Sequence, residues 1–211
     1  MTRVAKQIFQ SPYFTWLLLF IPAPSLITAL LQDNRYYAEI MYESGVLATQ
    51  LTVIALAITP LMKISRHWAL GLSLLRILQR RRRYIGIAAF GYALLHTLFY
   101  IREIGSLELI LLELEELSLL VGWIGFFALL LLAATSNDAS VRKLGRWWKR
   151  LQMTAYLAAA LTALHWWLIG QFLDQLYYWF LPLMLIQAPR VWRLLSPVSS
   201  KVRRTPASQT R

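Results

Sequence analysis

The sequence predicts an all-α membrane protein, a six-transmembrane-helix bundle with both termini on the cytoplasmic side. Three observations carry that expectation. The 211 residues are 58% hydrophobic with a mean hydropathy of +0.49, whereas a soluble domain is about 45–50% apolar. Apolar runs of about 17–20 residues succeed one another, each long enough to cross a hydrocarbon core of about 30 Å as a helix. The 22 Lys and Arg residues gather in alternate connections between those runs.

The first run covers 14–31 and contains Pro22 and Pro24. The second covers 46–62, the third 84–101, the fourth 117–135 and the fifth 151–170. The sixth covers 175–192 and contains Pro182. Proline in a spanning helix is tolerated where neighbouring groups satisfy the freed carbonyls, so kinks rather than breaks are expected. The organisation is then an N-terminal tail, 1–13, a transmembrane domain, 14–194, and a basic tail, 195–211. The last, with "SPVSSKVRRTPASQTR", has the composition of a disordered segment. No internal repeat, separate soluble domain or cleavable signal peptide is visible.

Charge sets the orientation. Arg3 and Lys6 precede the first run. Lys63, Arg66, Arg76 and Arg80 to Arg83 lie between runs two and three. Arg142, Lys143, Arg146, Lys149 and Arg150 lie between runs four and five, and six more basic residues follow from Arg190 onward. Twenty therefore fall on one side and only Arg35 and Arg102 on the other, which places both termini in the cytoplasm. Nine of the ten acids lie on the opposite side, Asp138 being the exception. The net charge of +12 is thus explained by topology and by contact with the anionic headgroups of the lipid bilayer. No nucleic-acid partner is expected.

Several chemistries are excluded. There is no cysteine, hence no disulfide, no thiolate metal site and no C-x-x-C-H attachment of a c-type haem. No Gly-rich phosphate loop, H-E-x-x-H or dinucleotide fingerprint occurs. No room remains for a flavin- or nicotinamide-binding domain.

Three histidines remain. His67, in "KISRHWAL", reads as an interfacial side chain. His96 and His165 lie inside runs three and five, where an ionisable residue is a functional candidate. His96 follows Tyr84 by 12 residues, about 18 Å, and His165 follows Leu151 by 14, about 21 Å. The two helices run in the same direction, so both rings reach similar depth in the outer half of the bilayer. Two imidazoles facing across a bundle can supply both axial ligands of a b-type haem. Zinc would want about four ligands, or three and a water, which the sequence does not offer. Gly86, Ala88, Ala89, Gly91 and Ala93 in run three, with Ala155, Ala158, Ala159, Ala160 and Ala163 in run five, would leave room for a flat macrocycle. They would serve close helix packing equally well, with both histidines hydrogen-bonded inside the bundle.

A resemblance bears on that choice. "ITPL" (58–61), "GYALLHTLFY" (91–100) and "ATSNDASVRKLGRWWKRLQMTAYLAAALTALHWW" (134–167) resemble the ferric-reductase-like transmembrane family. The similarity runs from run two to run five. It is strongest to the haem-binding membrane subunits of periplasmic methionine sulfoxide repair. The resemblance implies that His96 and His165 are axial ligands of haem iron, held between runs three and five. It implies electron flow from the quinone pool or a cytosolic flavin reductase, through haem b, to a periplasmic molybdenum-containing reductase subunit. The setting would be the bacterial inner membrane, and a flavin mononucleotide (FMN) is also associated with such subunits. The chain would be an electron-transfer subunit rather than a stand-alone enzyme.

One position departs from the family. Where relatives carry a further histidine opening run five, this sequence has Gln152. An amide is a poor iron ligand, and run three offers only Arg82 and Arg83 at the matching depth, residues suited to propionates or lipid phosphates. One haem is therefore expected, and a quinol arriving within the bilayer would bypass the missing inner site. The alternatives are a ferric-reductase-like or cytochrome b561-like carrier with another acceptor, or a cofactor-free membrane scaffold or transporter. Finally, Leu107, Ile110, Leu111, Leu114 and Leu117 fall at helical spacing in "LELILLELEEL", flanked by Glu108, Glu113, Glu115 and Glu116. This segment reads either as an interfacial amphipathic helix that docks an electron acceptor or as a solvated acidic connection.

Overall fold

The computed structural model describes residues 11–32, 37–68 and 71–195. Among them all regular structure is helical. Two short helices, α1 (Pro12–Phe20) and α2 (Ala23–Leu31), lead into two long ones, α3 (Tyr37–Trp68) and α4 (Leu72–Ile104). A short helix α5 (Leu107–Glu113) precedes α6 (Leu117–Ala134). Two further short helices, α7 (Asp138–Leu144) and α8 (Arg146–Gln152), then connect to α9 (Thr154–Ile169) and α10 (Leu173–Leu195). Of the expected tails, 1–13 and 195–211, residues 1–10 and 196–211 lie outside the described residues, as does the side chain of His67.

Three helices are long and apolar enough to cross a membrane: Tyr37–Arg66 within α3, Leu72–Ile104 and Leu117–Ala134. The α1–α2 pair, bent by 46°, makes a fourth if it counts as one broken span. Helix α9 has 16 residues, about 24 Å, and α10 is more polar, with Asp174, Gln175, Gln187 and Arg190 along it. The chain is a multi-pass helical membrane protein.

The prolines act differently at the two ends. Pro22 and Pro24 separate α1 from α2 rather than merely kinking one helix. Each removes a backbone donor, and each ring crowds the carbonyl four residues back. Hydroxyls occupy the carbonyls around the break: Ser25 Oγ donates to Pro22 O at 2.9 Å and Thr28 Oγ1 to Pro24 O at 3.0 Å. Pro60 and Pro182 instead lie inside continuous helices. Pro60 leaves the carbonyl of Leu56 without its helical donor, and Gln187 of α10 supplies one through Nε2 at 3.3 Å.

Among the described residues, the basic connection between runs two and three is mostly helix. Lys63 and Arg66 extend α3, and Arg76 and Arg80 to Arg83 belong to the first half of α4. Nothing there stops a helix except Gly71, which takes φ +66°. Arginine and leucine are good helix formers, so helix continues past the bilayer. At 33 residues, α4 is about 50 Å long, well over the hydrocarbon thickness. The Ser/Thr/Asn turn after α6 satisfies its own helix ends. Thr135 Oγ1 donates to Leu131 O at 2.7 Å, Ser136 Oγ to Leu132 O at 2.6 Å, and Asn137 Oδ1 accepts from Ser140 N at 2.8 Å.

The expected 107–117 amphipathic helix is shorter than its apolar stripe. Helix α5 stops at Glu113, where Leu114 to Glu116 form a turn. Ile110 is buried, but Leu107 and Leu111 are exposed. Glu113 accepts from Tyr100 Oη at 2.6 Å.

Helix α4 packs chiefly along α3, and α9 along α6. The two pairs meet through a core that includes Tyr92, Phe99, Leu129 and Ala158. Helix α10 covers α3 and α9 through Leu183, packed with Val53, Leu56 and Ala159.

Candidate functional site

His96 projects from α4 and His165 from α9, and the fold brings the two imidazoles to 6.3 Å between centroids, with their planes at 81°. Each ring is held by a backbone carbonyl of the helix it faces. His96 Nδ1 lies 2.8 Å from Met41 O on α3. His165 Nδ1 lies 2.7 Å from Ser118 O at the start of α6. A carbonyl oxygen can only accept, so Nδ1 carries the proton in each ring and Nε2 keeps its lone pair. Neither Nε2 has a protein partner among the described residues. The pair thus presents two lone pairs from two separate helices to one space.

That space is a cavity of about 300 Å³, lined by both histidines and by residues of α3, α4, α6 and α9. Its polar lining is largely self-satisfied. Thr49, Thr52, Thr97 and Thr162 each donate to the carbonyl four residues back, at 2.8–3.0 Å. Tyr100 is bonded to Glu113. The exception is Tyr42, whose buried hydroxyl has no hydrogen-bond partner among the described residues. Its ring packs edge-on to Trp166 and tilted against Phe172, with centroids 6.1 Å and 4.6 Å away.

The arrangement suits a metal bound between two imidazoles. A metal–imidazole bond is about 2.0–2.1 Å, and the ring centroid lies about 1.1 Å behind the bonded nitrogen, so opposed ligands have centroids about 6–6.5 Å apart. The observed separation meets that requirement. No group of three or more His, Cys, Asp or Glu side chains is gathered anywhere among the described residues. The donor set is therefore two neutral nitrogens, which fits a metal whose remaining ligands arrive with it, as in a macrocycle.

The other sequence-predicted residues lie at the basic end of the bundle, and none lines the cavity. Arg82 Nη1 reaches Thr59 Oγ1 at 3.4 Å. Arg83 Nη1 pairs with Asp138 Oδ1 at 2.6 Å, and this bond holds the Asp138 carboxyl below its ordinary pKa. Gln152 closes α8 rather than opening α9, and its Nε2 lies 3.5 Å from Thr135 Oγ1. The three have three different partners. Of the ten small residues singled out on α4 and α9, only Ala93 lines the cavity. Ala88, Ala89, Ala158 and Ala159 are buried in helix packing instead.

Sequence reasoning missed Tyr42, Gly45 and Gly122. Both glycines line the cavity and lie against the histidine rings. The signal was present as a glycine inside each apolar helix facing a histidine helix, but its meaning needs the helix pairing.

Residues 44–163, more than half of the chain, match the family described as ferric reductase like transmembrane component. The chain belongs to that family. The match takes in Gly45, His96 and Gly122 and ends two residues before His165. Within the family the chain is MsrQ-like. The protein-methionine-sulfoxide reductase heme-binding subunit MsrQ of Xanthomonas axonopodis pv. citri is 33% identical over 174 residues, 80% of this chain and 75% of that relative. The protein of the same description from Cronobacter sakazakii is 34% identical over 173 residues, 78% of this chain and 82% of the relative. That from Pectobacterium atrosepticum is 33% identical over 155 residues, 69% and 73% respectively. No solved structure matches the chain.

Proposed function

We propose that this chain binds one b-type haem between α4 and α9, with His96 and His165 as axial ligands. On this reading it is the inner-membrane electron-transfer subunit of a periplasmic methionine sulfoxide reductase. The carrying observation is the pair of imidazoles 6.3 Å apart, each with its Nδ1 committed to a carbonyl. The relatives' description as heme-binding subunits supports the same reading.

A haem held in this way would cycle between ferric and ferrous states and carry one electron at a time. The protein's part is to keep both rings neutral, oriented and dry. The carbonyls of Met41 and Ser118 fix the tautomers, and a backbone acceptor behind an imidazole raises the basicity of the ligating nitrogen. Tyr42, Trp123, Phe126 and Trp166 line the cavity with aromatic rings. The Tyr42 hydroxyl is placed to donate to a carboxylate or other acceptor of the bound group.

Six spans complete the bundle: α1–α2 as one broken span, then α3, α4, α6, α9 and α10, with both termini cytoplasmic. The basic end then faces the cytoplasm, and the connections at 102–117 and 170–174 face the periplasm beside the histidines. Electrons leave on that side to the molybdenum-containing catalytic subunit. They enter from the quinone pool or a cytosolic flavin reductase, with FMN as a second cofactor that the family resemblance suggests. Gln152 and Arg83 are engaged with Thr135 and Asp138, which favours a donor arriving within the bilayer over a second, inner haem.

The test is spectroscopic. The purified protein should give a b-type reduced-minus-oxidised spectrum with about one haem per chain. His96→Ala or His165→Ala should remove the haem or turn it high-spin, because one axial bond is lost. A parent with no haem after expression in haem-replete cells, or unchanged haem in the double alanine variant, would sink the reading. Two haems per chain would show that Gln152 does not exclude the inner site.

A further inference from the structure

The two histidines are seated by the same device, built twice. Met41, whose carbonyl takes His96, precedes Gly45 by four residues on α3. Ser118, whose carbonyl takes His165, precedes Gly122 by four residues on α6. In an α-helix the carbonyl of residue n already accepts the N–H of residue n+4. Its second lone pair is free, but a ring that reaches it must lie across residue n+4.

Only glycine leaves that path open. A Cβ at position 45 would stand 2.8 Å from His96 Nδ1 and 3.1 Å from Cε1. A Cβ at position 122 would stand 2.8 Å from His165 Nδ1 and 2.9 Å from Cε1. Ordinary contacts between such atoms are about 3.5–4.0 Å. The clash is with the ring face itself, at its hydrogen-bonding atom, not with the far end of a flexible chain. Gly86 and Gly91 on α4 are different: a Cβ there meets nothing within 4 Å.

We infer that Gly45 and Gly122 are positioning residues for the imidazole pair. Each lets Nδ1–H reach the carbonyl one turn back, and so sets the tautomer, the depth and the plane of its ring. The two ring planes stand near-perpendicular, 81° apart. The inference rests on the proposed reading of His96 and His165 as axial ligands. Perpendicular axial imidazoles leave the two iron dπ orbitals nearly degenerate, which gives a strongly anisotropic low-spin ferric electron paramagnetic resonance signal. Parallel planes split those orbitals and give an ordinary rhombic signal. Ligand orientation set from behind the ring is thus readable at the iron.

The experiment compares four single variants of the full-length protein by haem content, absorption and low-temperature paramagnetic resonance. Gly45→Ala and Gly122→Ala should lose low-spin haem, or replace the anisotropic signal with a rhombic or high-spin one. Gly86→Ala and Gly91→Ala should match the parent. Alanine is the better helix former at all four positions, so helix propensity cannot account for a difference. If Gly45→Ala fails to accumulate in the membrane, adding His96→Ala should restore accumulation to the level of His96→Ala alone, because the ring that the methyl strikes is gone. The same holds for Gly122→Ala with His165→Ala. The inference is overturned if Gly45→Ala and Gly122→Ala keep the parent's haem content, spin state and signal shape, or if removing the ring restores nothing. A haem that persists without either histidine would instead remove the axial-ligand reading itself.

Discussion

At the scale of single residues, the site is built from what each polar atom can and cannot do. His96 and His165 are each left with one useful nitrogen because the other is spent on a carbonyl. The four cavity threonines have no proton left to donate to a ligand, because each hydroxyl donates to its own helix. Tyr42 is left as the buried hydroxyl with no partner among the described residues. Removing an unpaired hydroxyl costs the empty protein nothing, whereas a hydroxyl that bonds a bound ligand contributes about 1 kcal/mol, roughly fivefold in affinity. Tyr42→Phe should therefore leave the thermal stability of the haem-free protein unchanged or raised and weaken haem binding by about that factor. A haem titration checks it, and equal affinities in the two proteins would remove Tyr42 from the site.

At the scale of elements, helix ends and helix defects decide the packing. The proline in α3 is useful because α10 answers it: Pro60 frees the Leu56 carbonyl and Gln187 takes it. Gln187 is only 9% exposed, so losing it strands a buried acceptor, at a cost of about 1–3 kcal/mol. Gln187→Leu is expected to lower the melting temperature in detergent. Pro60→Ala, which returns the helical N–H, should recover much of that loss in the double variant. Additive losses in the double variant would mean that the two residues are not coupled. The short elements are equally informative. Helix α5 was legible as helix from its spacing, but its end was not. Glu113 is drawn onto Tyr100, and the chain turns there before the apolar stripe is complete.

At the scale of the whole molecule, the placement of the basic residues bears on the proposed six spans. Basic residues collect where α3 ends, α4 begins and α7 and α8 lie. Several are anchored rather than loose: Arg83 to Asp138, Arg190 to the Tyr156 hydroxyl, and Arg150 over the Trp147 ring at 4.6 Å. Arginine and tryptophan together are typical of a membrane interface. The six-span arrangement predicts that an alkaline phosphatase fused after Arg211 stays inactive, while a cytoplasm-active reporter at the same place is active. The reverse result would invert the topology and put the histidines nearer the cytoplasm.

The sequence by itself determined the helical membrane class, the clustering of its basic residues and the two histidines as candidates in separate helices. These follow from composition, run length and residue counting, which depend on local chemistry and a fixed rise per residue. Helix extent beyond the bilayer escaped it, because water-facing arginines continue a helix as readily as they begin a loop. Only the tertiary structure decided which helix each histidine leans on. Met41 and Gly45 are 55 and 51 residues from His96, and Ser118 and Gly122 are 47 and 43 from His165. A glycine inside an apolar helix reads as mere packing until the facing helix is known. Its meaning here comes from an atom it lacks, and that absence matters only where another chain segment occupies the space.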